Sequence, residues 1–391
     1  MAGKIINMKK IALLIYIALL LILPYAHSRE IFVEMGQSIQ DAINASMSGD
    51  KIVILSGVYK GFSVDKTLYI DGKDAIIEGE IKILANNVSV ENLVIKDALY
   101  GIEIKSSGNA IRNCSIVNCS NGLHIEGNEN EIVGNKIFKN KYYAIWVDYS
   151  HNNKIISNQI YANGHGIYAQ HATNCYIAQN IIENNEASGI RLQTCANVTV
   201  KNNEIRNNGK GIYLCCRSEN NLIYQNNFID NKYNAYCSNV GENKWSYNGK
   251  GNYWSDCFGK IYEIGEKNVD ECPAKKPWSI NICRENKIYI TYPVNGSKIK
   301  ENTVVRGVYE GNETVMYKID NGSWEKAYGK YIWGFYLNIS KLNEGKHTIF
   351  VKAGSATDSI NIYVEKEREK KSPAFELIFL LLAFLIARKF F

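Results

Sequence analysis

Between residues 94 and 228, apolar side chains recur with a period of about 22 residues. The recurring positions, at spacings of 21 to 23, are Val94, Ile116, Ile137, Ile160, Ile182, Ile205 and Phe228. Asparagine stands two residues before six of these seven positions, and only Ile116 follows a cysteine instead. A small residue and an apolar-x-apolar triplet come six or seven residues after most of them, as in Gly166-Ile-Tyr-Ala169. This pattern of short alternating strands predicts a solenoid of stacked coils.

The residue types favour an all-β fold, a right-handed parallel β-helix of the pectin-lyase-like type over residues 29–256. One coil cannot bury its own apolar face, so coils stack and pair edge to edge as parallel strands. Inward asparagines would satisfy backbone groups at the bends and bond to one another as a ladder. A leucine-rich repeat has a similar period, but it needs leucine runs and helices that this sequence lacks.

Both ends of the solenoid are expected to be covered. Upstream, Ser38 is a predicted N-cap with Asp41 three residues later; Ile39 and Ile43 would face inward and Gly49 would end the helix. Downstream, the segment from Asn243 to Asp256 contains the sequence GKGNYWSD and would close the stack.

After the solenoid, residues 257–285 form a cysteine-containing segment without periodic pattern, and residues 286–365 show a different organisation. Alternating strands separated by Asn-Gly turns predict an immunoglobulin-like β-sandwich there. The predicted strands are Ile288–Ser297, Thr303–Gly307, Val315–Ile319 and His347–Val351. The module resembles the stalk modules of bacterial and archaeal surface proteins, and a spacer role is favoured over a second ligand site.

The two termini carry targeting signals. Basic residues, an apolar run and a small-x-small site over residues 1–28 predict a secretory signal peptide, with an uncleaved anchor as the alternative. Residues 366–373 read as a charged stalk and residues 374–391 as a transmembrane anchor whose Arg388 and Lys389 stay cytoplasmic. This tail resembles archaeal sorting tails, although Ala374 replaces their usual glycine. The body would then lie on the extracellular face of the cell membrane.

Composition agrees with export. The chain has a net charge of +6, of which three charges lie in residues 1–28 and one in residues 372–391, so the body is nearly neutral and a nucleic-acid partner is not expected. Ten cysteines indicate disulfides, with a Cys272–Cys283 bridge closing the shortest loop and Cys257, Cys215 and Cys237 as further candidates. Nine glycosylation sequons stand at Asn44, Asn87, Asn113, Asn118, Asn197, Asn295, Asn312, Asn321 and Asn338.

The middle residue of each apolar-x-apolar triplet points outward, which predicts columns of side chains along the solenoid. The three columns, which we call the aromatic strip, run through Glu103, His124, Trp146, Tyr168, Arg191, Tyr213 and Tyr236; Lys105, Glu126, Asp148, Gln170, Gln193 and Cys215; and Tyr100, Asn121, Tyr143, His165, Ser188 and Lys210. Rings beside carboxylates, amides and an arginine suit a sugar chain. The predicted carbohydrate-binding residues are His124, Trp146, Tyr168, Arg191, Tyr213, Tyr143 and His165. The alternative is that Tyr and Trp are good strand formers on an exposed face.

Two catalytic signals are present. Glu126 and Asp148 would lie about one strand spacing apart, the separation of a retaining glycosidase pair. Gly164-His-Gly-Ile167 and Gly189-Ile-Arg-Leu192 resemble polygalacturonase motifs, but the aspartates that those enzymes need are missing. The role predicted first is therefore recognition of a polysaccharide or surface glycan without catalysis, with a polysaccharide lyase or hydrolase as the alternative.

The N-terminal cap, the repeats and the GKGNYWSD segment, together residues 36–256, resemble the NosD-like group of β-helix proteins. That resemblance implies a carbohydrate-binding or sugar-hydrolase type of repeat, and it also suggests copper binding. His165 and His171 share one coil and are the weak metal candidates. No cofactor is expected.

Overall fold

The computed structural model describes residues 28–265, 268–280, 286–311, 313–329 and 331–366. The predicted signal peptide, apart from Ser28, and the predicted membrane anchor lie outside these residues. No helix within the described ranges has both the length and the apolar character needed to cross a membrane. The chain divides into two compact units, Met1–Arg284 and Glu285–Phe391, which are described separately below.

The first unit begins with one short helix and five strands. They are β1 (Glu30–Val33), α1 (Ile39–Ala45), β2 (Lys51–Ile54), β3 (Val58–Val64), β4 (Tyr69–Ile83) and β5 (Ser89–Lys96). The Ser38 hydroxyl accepts a hydrogen bond from the Asp41 backbone N–H, and Ile39 and Ile43 are buried, which confirms the predicted capping helix. The prediction that Gly49 ends the helix is wrong, because α1 ends at Ala45 and the Ser46 N–H bonds to the Ile43 carbonyl.

The coils then follow in three parallel layers of one 25-stranded sheet system. The strip layer comprises β6 (Tyr100–Ile104), β9 (Asn121–Ile125), β12 (Tyr143–Asp148), β15 (His165–Gln170), β18 (Ser188–Gln193), β21 (Lys210–Cys215) and β24 (Tyr233–Ser238). The second layer comprises β7 (Ala110–Arg112), β10 (Glu131–Val133), β13 (Lys154–Ile156), β16 (Tyr176–Ala178), β19 (Thr199–Lys201) and β22 (Leu222–Tyr224). The third layer comprises β8 (Ser115–Val117), β11 (Lys136–Phe138), β14 (Gln159–Tyr161), β17 (Ile181–Glu183), β20 (Glu204–Arg206), β23 (Asn227–Ile229) and β25 (Tyr253–Trp254). This is the predicted all-β parallel solenoid of the right-handed type.

The predicted apolar column is confirmed in the third layer, where Ile116 through Phe228 pair coil by coil and are fully buried. Its first member is wrong by one residue. Ile95, not Val94, pairs with Ile116. The shift follows a register irregularity between β4 and β5, after which Asn92 adopts a positive φ and bonds to Asp71.

Buried asparagines form ladders at the corners of the coils. In the predicted ladder, each side-chain N–H donates to the amide oxygen of the next coil at 2.9–3.0 Å, through Asn135, Asn158, Asn180, Asn203, Asn226 and Asn252. A second ladder of the same geometry, not predicted, runs through Asn140, Asn163, Asn185, Asn208 and Asn231. The amide groups also bond to backbone carbonyls, so the bends keep their polar groups satisfied without water.

The exit of the solenoid is covered by tryptophans. Trp254 stacks on Phe228 at 4.4 Å between ring centroids, and Tyr262 stacks on the other face of Trp254 at 4.1 Å. The buried Asp270 carboxylate accepts bonds from the Trp254 indole and the Asn252 backbone, and burial raises its pKa. The segment around GKGNYWSD therefore closes the apolar end, as terminal coils must.

Several cysteines occupy interior positions instead of forming the expected disulfides. Cys119, Cys175 and Cys195 are buried free thiols whose pKa values burial raises to about 12, about 11 and about 12. Cys215 is also buried, and the register pairs Cys237 with Leu214, so the two cysteines lie on opposite faces of the layer. Cys257 and Cys272 are half-buried thiols. Because Cys272 is a free thiol, the predicted Cys272–Cys283 bridge is not formed in this structure; Cys283 itself lies outside the described residues.

Most glycosylation sequons lie at the surface. The asparagines at positions 44, 87, 113, 118, 197, 295 and 321 are exposed, whereas Asn338 is half-buried and Asn312 lies outside the described residues. Whether any of them carries a glycan stays a prediction.

The second unit is a β-sandwich with its own buried core. Its elements are β28 (Ile288–Tyr292), β29 (Ser297–Ile299), β30 (Thr303–Tyr309), β31 (Met316–Ile319), β32 (Glu325–Lys326), β33 (Tyr328–Gly329), β34 (Ile332–Leu337), a 3₁₀ turn (Ile339–Lys341), β35 (Gly345–Ala353) and β36 (Ala356–Val364). The two strands that precede them in the chain, β26 (Tyr262–Gly265) and β27 (Asn268–Asp270), form a hairpin that belongs to the first unit. A four-stranded and a five-stranded sheet enclose Val305, Trp333 and Ile349. The immunoglobulin-like topology itself stays a proposal.

A buried histidine makes the stability of this sandwich depend on pH. His347 Nδ1 lies 2.6 Å from Asp320 Oδ2 and its Nε2 lies 2.9 Å from the Asn343 carbonyl, so both nitrogens face acceptors. Burial opposes the charged ring, but the Asp320 carboxylate outweighs it and raises the pKa of His347. A raised histidine pKa stabilises the fold fully below about pH 6.5, and this contribution is lost as the pH rises through the folded value. We expect the sandwich transition in calorimetry to move to lower temperature between pH 6 and 9, and His347→Gln to remove most of that slope.

Candidate functional site: the aromatic strip

The central column of the aromatic strip forms as predicted. Strand pairing places its side chains in register from coil to coil, through Glu103, His124, Trp146, Tyr168, Arg191, Tyr213 and Tyr236. The flanking columns hold their predicted neighbours beside it, with Tyr143 paired to His165 and Asp148 paired to Gln170. The fold thus brings all seven predicted carbohydrate-binding residues onto one face.

Rings in the first half of the aromatic strip, from its central and third columns, stack on one another. Centroids of Tyr100 and His124 lie 5.1 Å apart, those of His124 and Trp146 4.2 Å apart, and the planes differ by 24° and 27°. Tyr143 stacks on Tyr168 at 4.8 Å and tilts against Trp146. Because the ring faces contact neighbouring coils, it is mainly ring edges that face outward. The strip therefore does not present a platform of open ring faces to a ligand.

The second half of the column is built around a cation. The Arg191 guanidinium lies 5.1 Å from the ring centroids of both Tyr168 and Tyr213 and donates to Gln193 Oε1 at 2.8 Å. The Tyr168 hydroxyl donates to Gln170 and Gln193, and burial raises the pKa of this tyrosine to about 12. This packing fixes the position of the arginine, since a guanidinium stacks favourably between aromatic faces.

The first coils of the strip carry acidic groups around His124. Its Nδ1 lies 3.9 Å from Glu103 Oε1 and its Nε2 lies 3.7 Å from Glu126 Oε1, both too long for hydrogen bonds. Burial lowers the pKa of His124 despite these carboxylates. The negative charges of Glu103 and Glu126 are compensated by Lys105, whose Nζ lies 3.4 Å from a carboxylate oxygen of Glu103 and 3.7 Å from one of Glu126.

Buried polar atoms without a hydrogen-bond partner concentrate on this strip. Of the eight side-chain atoms of this kind among the described residues, five belong to it: both His124 nitrogens, Trp146 Nε1, Asp148 Oδ1 and Arg191 Nε. Each such atom costs about 1–3 kcal/mol of stability, so their accumulation on one face is unusual for a structural surface. Burial also raises the pKa of Asp148, with a further contribution from Glu126.

His165 lies beside the arginine and takes part in a hydrogen bond. Its Nδ1 lies 2.8 Å from the Ser188 hydroxyl. Burial lowers the pKa of His165 to about 4, and the cations of Arg191 and Lys210 lower it in the same direction. The imidazole is therefore neutral at physiological pH, in a region of positive potential.

Two parts of the strip were missed by the sequence pattern. Lys82 pairs with Glu103 and extends the column by one coil, but Glu80 stands in place of the small residue that marks the other triplets. Gln170 and Gln193 were seen only as column members, whereas the structure shows them holding the Tyr168 hydroxyl.

The sequence model of a family described as periplasmic copper-binding protein (NosD) matches residues 43–259, more than half of the chain. The chain belongs to the NosD family. Its curated relatives include two probable ABC transporter binding proteins NosD. The protein of Stutzerimonas stutzeri is 38% identical over 61 residues, and that of Pseudomonas aeruginosa is 38% identical over 60 residues. These matches cover 16% and 15% of this NosD-family chain and only 14% of either relative.

The chain is also similar in part to several solved structures. The A-module of the mannuronan C-5 epimerase AlgE6 from Azotobacter vinelandii is 17% identical, with coverage of 55% of this chain and 69% of that one and a TM-score of 0.41. The enzymatically active domain of tailspike protein 2 from bacteriophage CBA120 is 10% identical, with coverage of 87% and 71% and a TM-score of 0.44. An alginate lyase from Paenibacillus is 14% identical, with coverage of 55% and 95% and a TM-score of 0.37.

The described residues do not fit the copper ion that the family description names. Within the described ranges, no group of three or more His, Cys, Asp or Glu side chains lies close enough together to hold a metal ion. The weak candidates His165 and His171 flank the length of β15, about 20 Å apart at strand spacing. His171 stacks on Tyr149 and His165 contacts Ser188, so these two histidines do not converge.

Proposed function

We propose that the aromatic strip of this NosD-family β-helix binds a polysaccharide. The observation that carries the proposal is the set of unpartnered buried atoms that lie on three of the four successive coils from His124 to Arg191. The set mixes donors, such as the Trp146 indole and the Arg191 guanidinium, with an acceptor at Asp148. Sugar hydroxyls both donate and accept, so a single polyhydroxylated chain is able to satisfy all of them.

The shape of the strip supports a linear ligand. Four coils at about 4.8 Å per coil span about 14 Å along the solenoid axis, a length that accommodates several sugar units in line. The unpartnered atoms are covered by neighbouring side chains, so a ligand reaches them only when the outward ring edges shift. Ring edges and hydroxyls, not open ring faces, would make the first contacts.

The test is retardation of the purified protein in native gels that contain a polysaccharide. The panel holds neutral polymers (dextran, galactomannan) and uronate polymers (polygalacturonate, alginate, hyaluronan). We expect slower migration in at least one of these gels and unchanged migration in gels without polymer. Unchanged migration with every polymer would overturn the proposal.

Cleavage of the bound chain is the second candidate function. It is favoured by one observation: the half-buried Asp148, with its raised pKa, lies next to the more exposed Glu126, and two carboxyl groups in unlike environments suit an acid and base pair. Reducing-end release from the bound polymer would identify a hydrolase, and ultraviolet absorbance of an unsaturated product a lyase. Loss of that activity in both Glu126→Gln and Asp148→Asn would assign it to this pair, and no product with wild type would leave recognition as the function.

We further propose that the protein acts at the outer surface of the cell membrane. The support is the sequence pattern of residues 1–28 and 374–391, together with the spacer role proposed for the sandwich. Protease accessibility of the sandwich on intact cells tests this placement, since a protein inside the cell would stay protected until lysis.

A further inference from the structure

We infer that the polysaccharide carries acidic groups, and that Arg191 and Lys210 bind one of them. This inference rests on the proposed function and names the chemical class of its ligand. Arg191 lies on β18 and Lys210 on β21, and these two strands pair directly along the strip. Arg191 belongs to the central column and Lys210 to the column beside it. The site would take the carboxylate of a uronate sugar or the sulfate of a sulfated one.

The two cations have no carboxylate partner. None of the ion pairs among the described residues includes Arg191 or Lys210, whereas Lys154 and Arg206 of nearby coils each pair with a glutamate. From β15 to β24 the three columns contain no Asp or Glu side chain at all. A positive region that the protein does not neutralise attracts an anionic ligand.

Both cations are held in place before any ligand arrives. Arg191 lies between Tyr168 and Tyr213, and Lys210 Nζ lies 5.4 and 5.5 Å from the rings of Tyr213 and Tyr236. Arg191 donates through Nη2 to Gln193, while its Nε is buried without a hydrogen-bond partner. Because the guanidinium already lies between two rings, a charge-assisted bond to an oxyanion costs it little side-chain freedom, and its buried Nε supplies an unused donor once the outward ring edges shift.

The acidic end of the strip does not exclude an anionic chain. Ion pairs with Lys82 and Lys105 compensate the negative charge of Glu103, and Lys105 also compensates the charge of Glu126. Asp148 has a pKa raised by burial, which favours its neutral form. The strip therefore offers a binding position for an acidic sugar at one end and mixed polar contacts at the other.

The experiment compares each acidic polymer with its own neutral form. Polygalacturonate, alginate and hyaluronan are paired with their carboxyl-reduced products, and dextran sulfate is paired with dextran. We expect wild type to be retarded about tenfold more strongly by an acidic member than by its neutral partner. Retention by a uronate polymer alone assigns a carboxylate, and retention by dextran sulfate as well extends the site to sulfate.

Matched variants separate the site from general charge. Arg191→Gln and Lys210→Gln should each weaken binding to the acidic polymer about tenfold, and Arg191→Lys should weaken it less than Arg191→Gln. Lys201→Gln is the control, because Lys201 lies between Tyr176 and Tyr224 on the second layer and its loss changes the net charge equally. It should change binding less than about twofold.

Three results would overturn the inference while leaving the proposed function standing. The first is equal binding of an acidic polymer and its neutral partner. The others are an unchanged affinity in folded Arg191→Gln, or a loss of affinity in Lys201→Gln as large as the loss in Arg191→Gln. Failure of wild type to bind any polymer, neutral or acidic, would instead overturn the proposed function itself. Thermal unfolding of each variant shows whether it is folded, and Lys210→Gln keeps the test decisive if Arg191→Gln is not.

Discussion

Asn180→Ala is expected to lower the free energy of unfolding of the solenoid by about 3–5 kcal/mol. The Asn180 amide oxygen accepts bonds from the backbone and side chain of Asn158, and its N–H group donates to Ile155 and Asn203, all at 2.9–3.0 Å. The residue is fully buried, so alanine leaves these partners unsatisfied where no solvent reaches them. Chemical denaturation followed by circular dichroism measures the loss.

The matched control is Asn184→Gly, four residues further along the same coil. Asn184 is exposed and has a φ of 55°, a conformation that glycine adopts without strain. We expect this variant to change stability by less than about 1 kcal/mol. Similar losses in the two variants would show that the ladder contributes no more than an ordinary surface asparagine.

Trp146→Phe is expected to weaken polysaccharide binding about tenfold while leaving thermal stability unchanged or slightly raised. Phenylalanine keeps a ring between His124 and Tyr168 but removes the indole N–H, which has no partner within the protein. Removing an unsatisfied buried donor does not cost folding energy, whereas losing one hydrogen bond to a ligand reduces affinity by about this factor. Affinity electrophoresis and calorimetry on the same preparation measure both quantities.

Trp324→Phe in the sandwich is the control for Trp146→Phe. Trp324 is partly exposed and lies 4.2 Å from Lys352 Nζ, away from the strip residues in sequence and unit. It should leave binding unchanged. If Trp146→Phe lowers stability and leaves binding intact, the indole is a structural group and the proposed role of its N–H is wrong.

Much of the solenoid could be predicted because every coil must bury the same apolar positions and satisfy the backbone polar groups at the same bends. The inward column and the first asparagine ladder follow from positions that recur at a fixed offset, as Asn180 and Asn203 do two residues before Ile182 and Ile205. The second ladder has an equally regular signature, since Asn185 and Asn208 stand three residues after the same apolar positions. The first coil was misaligned because an irregular pairing between β4 and β5 has no signature in the repeat.

Cysteines show where composition misleads. Cys114 and Cys119 occupy the positions of the two ladders in their coil, and their backbone N–H groups donate to Asn135 and Asn140. A count of ten cysteines in an exported chain predicts disulfides, yet a small thiol also fills an interior corner where an asparagine ends its ladder. Only the strand register distinguishes a cysteine that fills an interior corner from one that forms a disulfide.

The strip illustrates the limit of pattern analysis for function. The alternation of triplets predicts which side chains share a face, and the structure places His124, Trp146 and Arg191 in register. It does not predict ring orientation, because stacking depends on rotamers chosen by the coils above and below. The unpartnered atoms and the uncompensated Arg191 and Lys210 emerge only from side-chain contacts.

Hydroxyl-radical footprinting of the protein with and without its best-binding polysaccharide tests the central claim most directly. Tyr236 belongs to the strip, and Tyr233 extends its third column because it pairs with Lys210. Tyr233 and Tyr236 are 51% and 43% exposed, and Tyr247, which lies outside the strip, is 51% exposed, so all three should react in the free protein. The proposed function predicts that the polymer lowers oxidation of Tyr233, Tyr236 and Tyr213 and leaves Tyr247 unchanged. Protection of Tyr247 with undiminished oxidation of the strip tyrosines would contradict it.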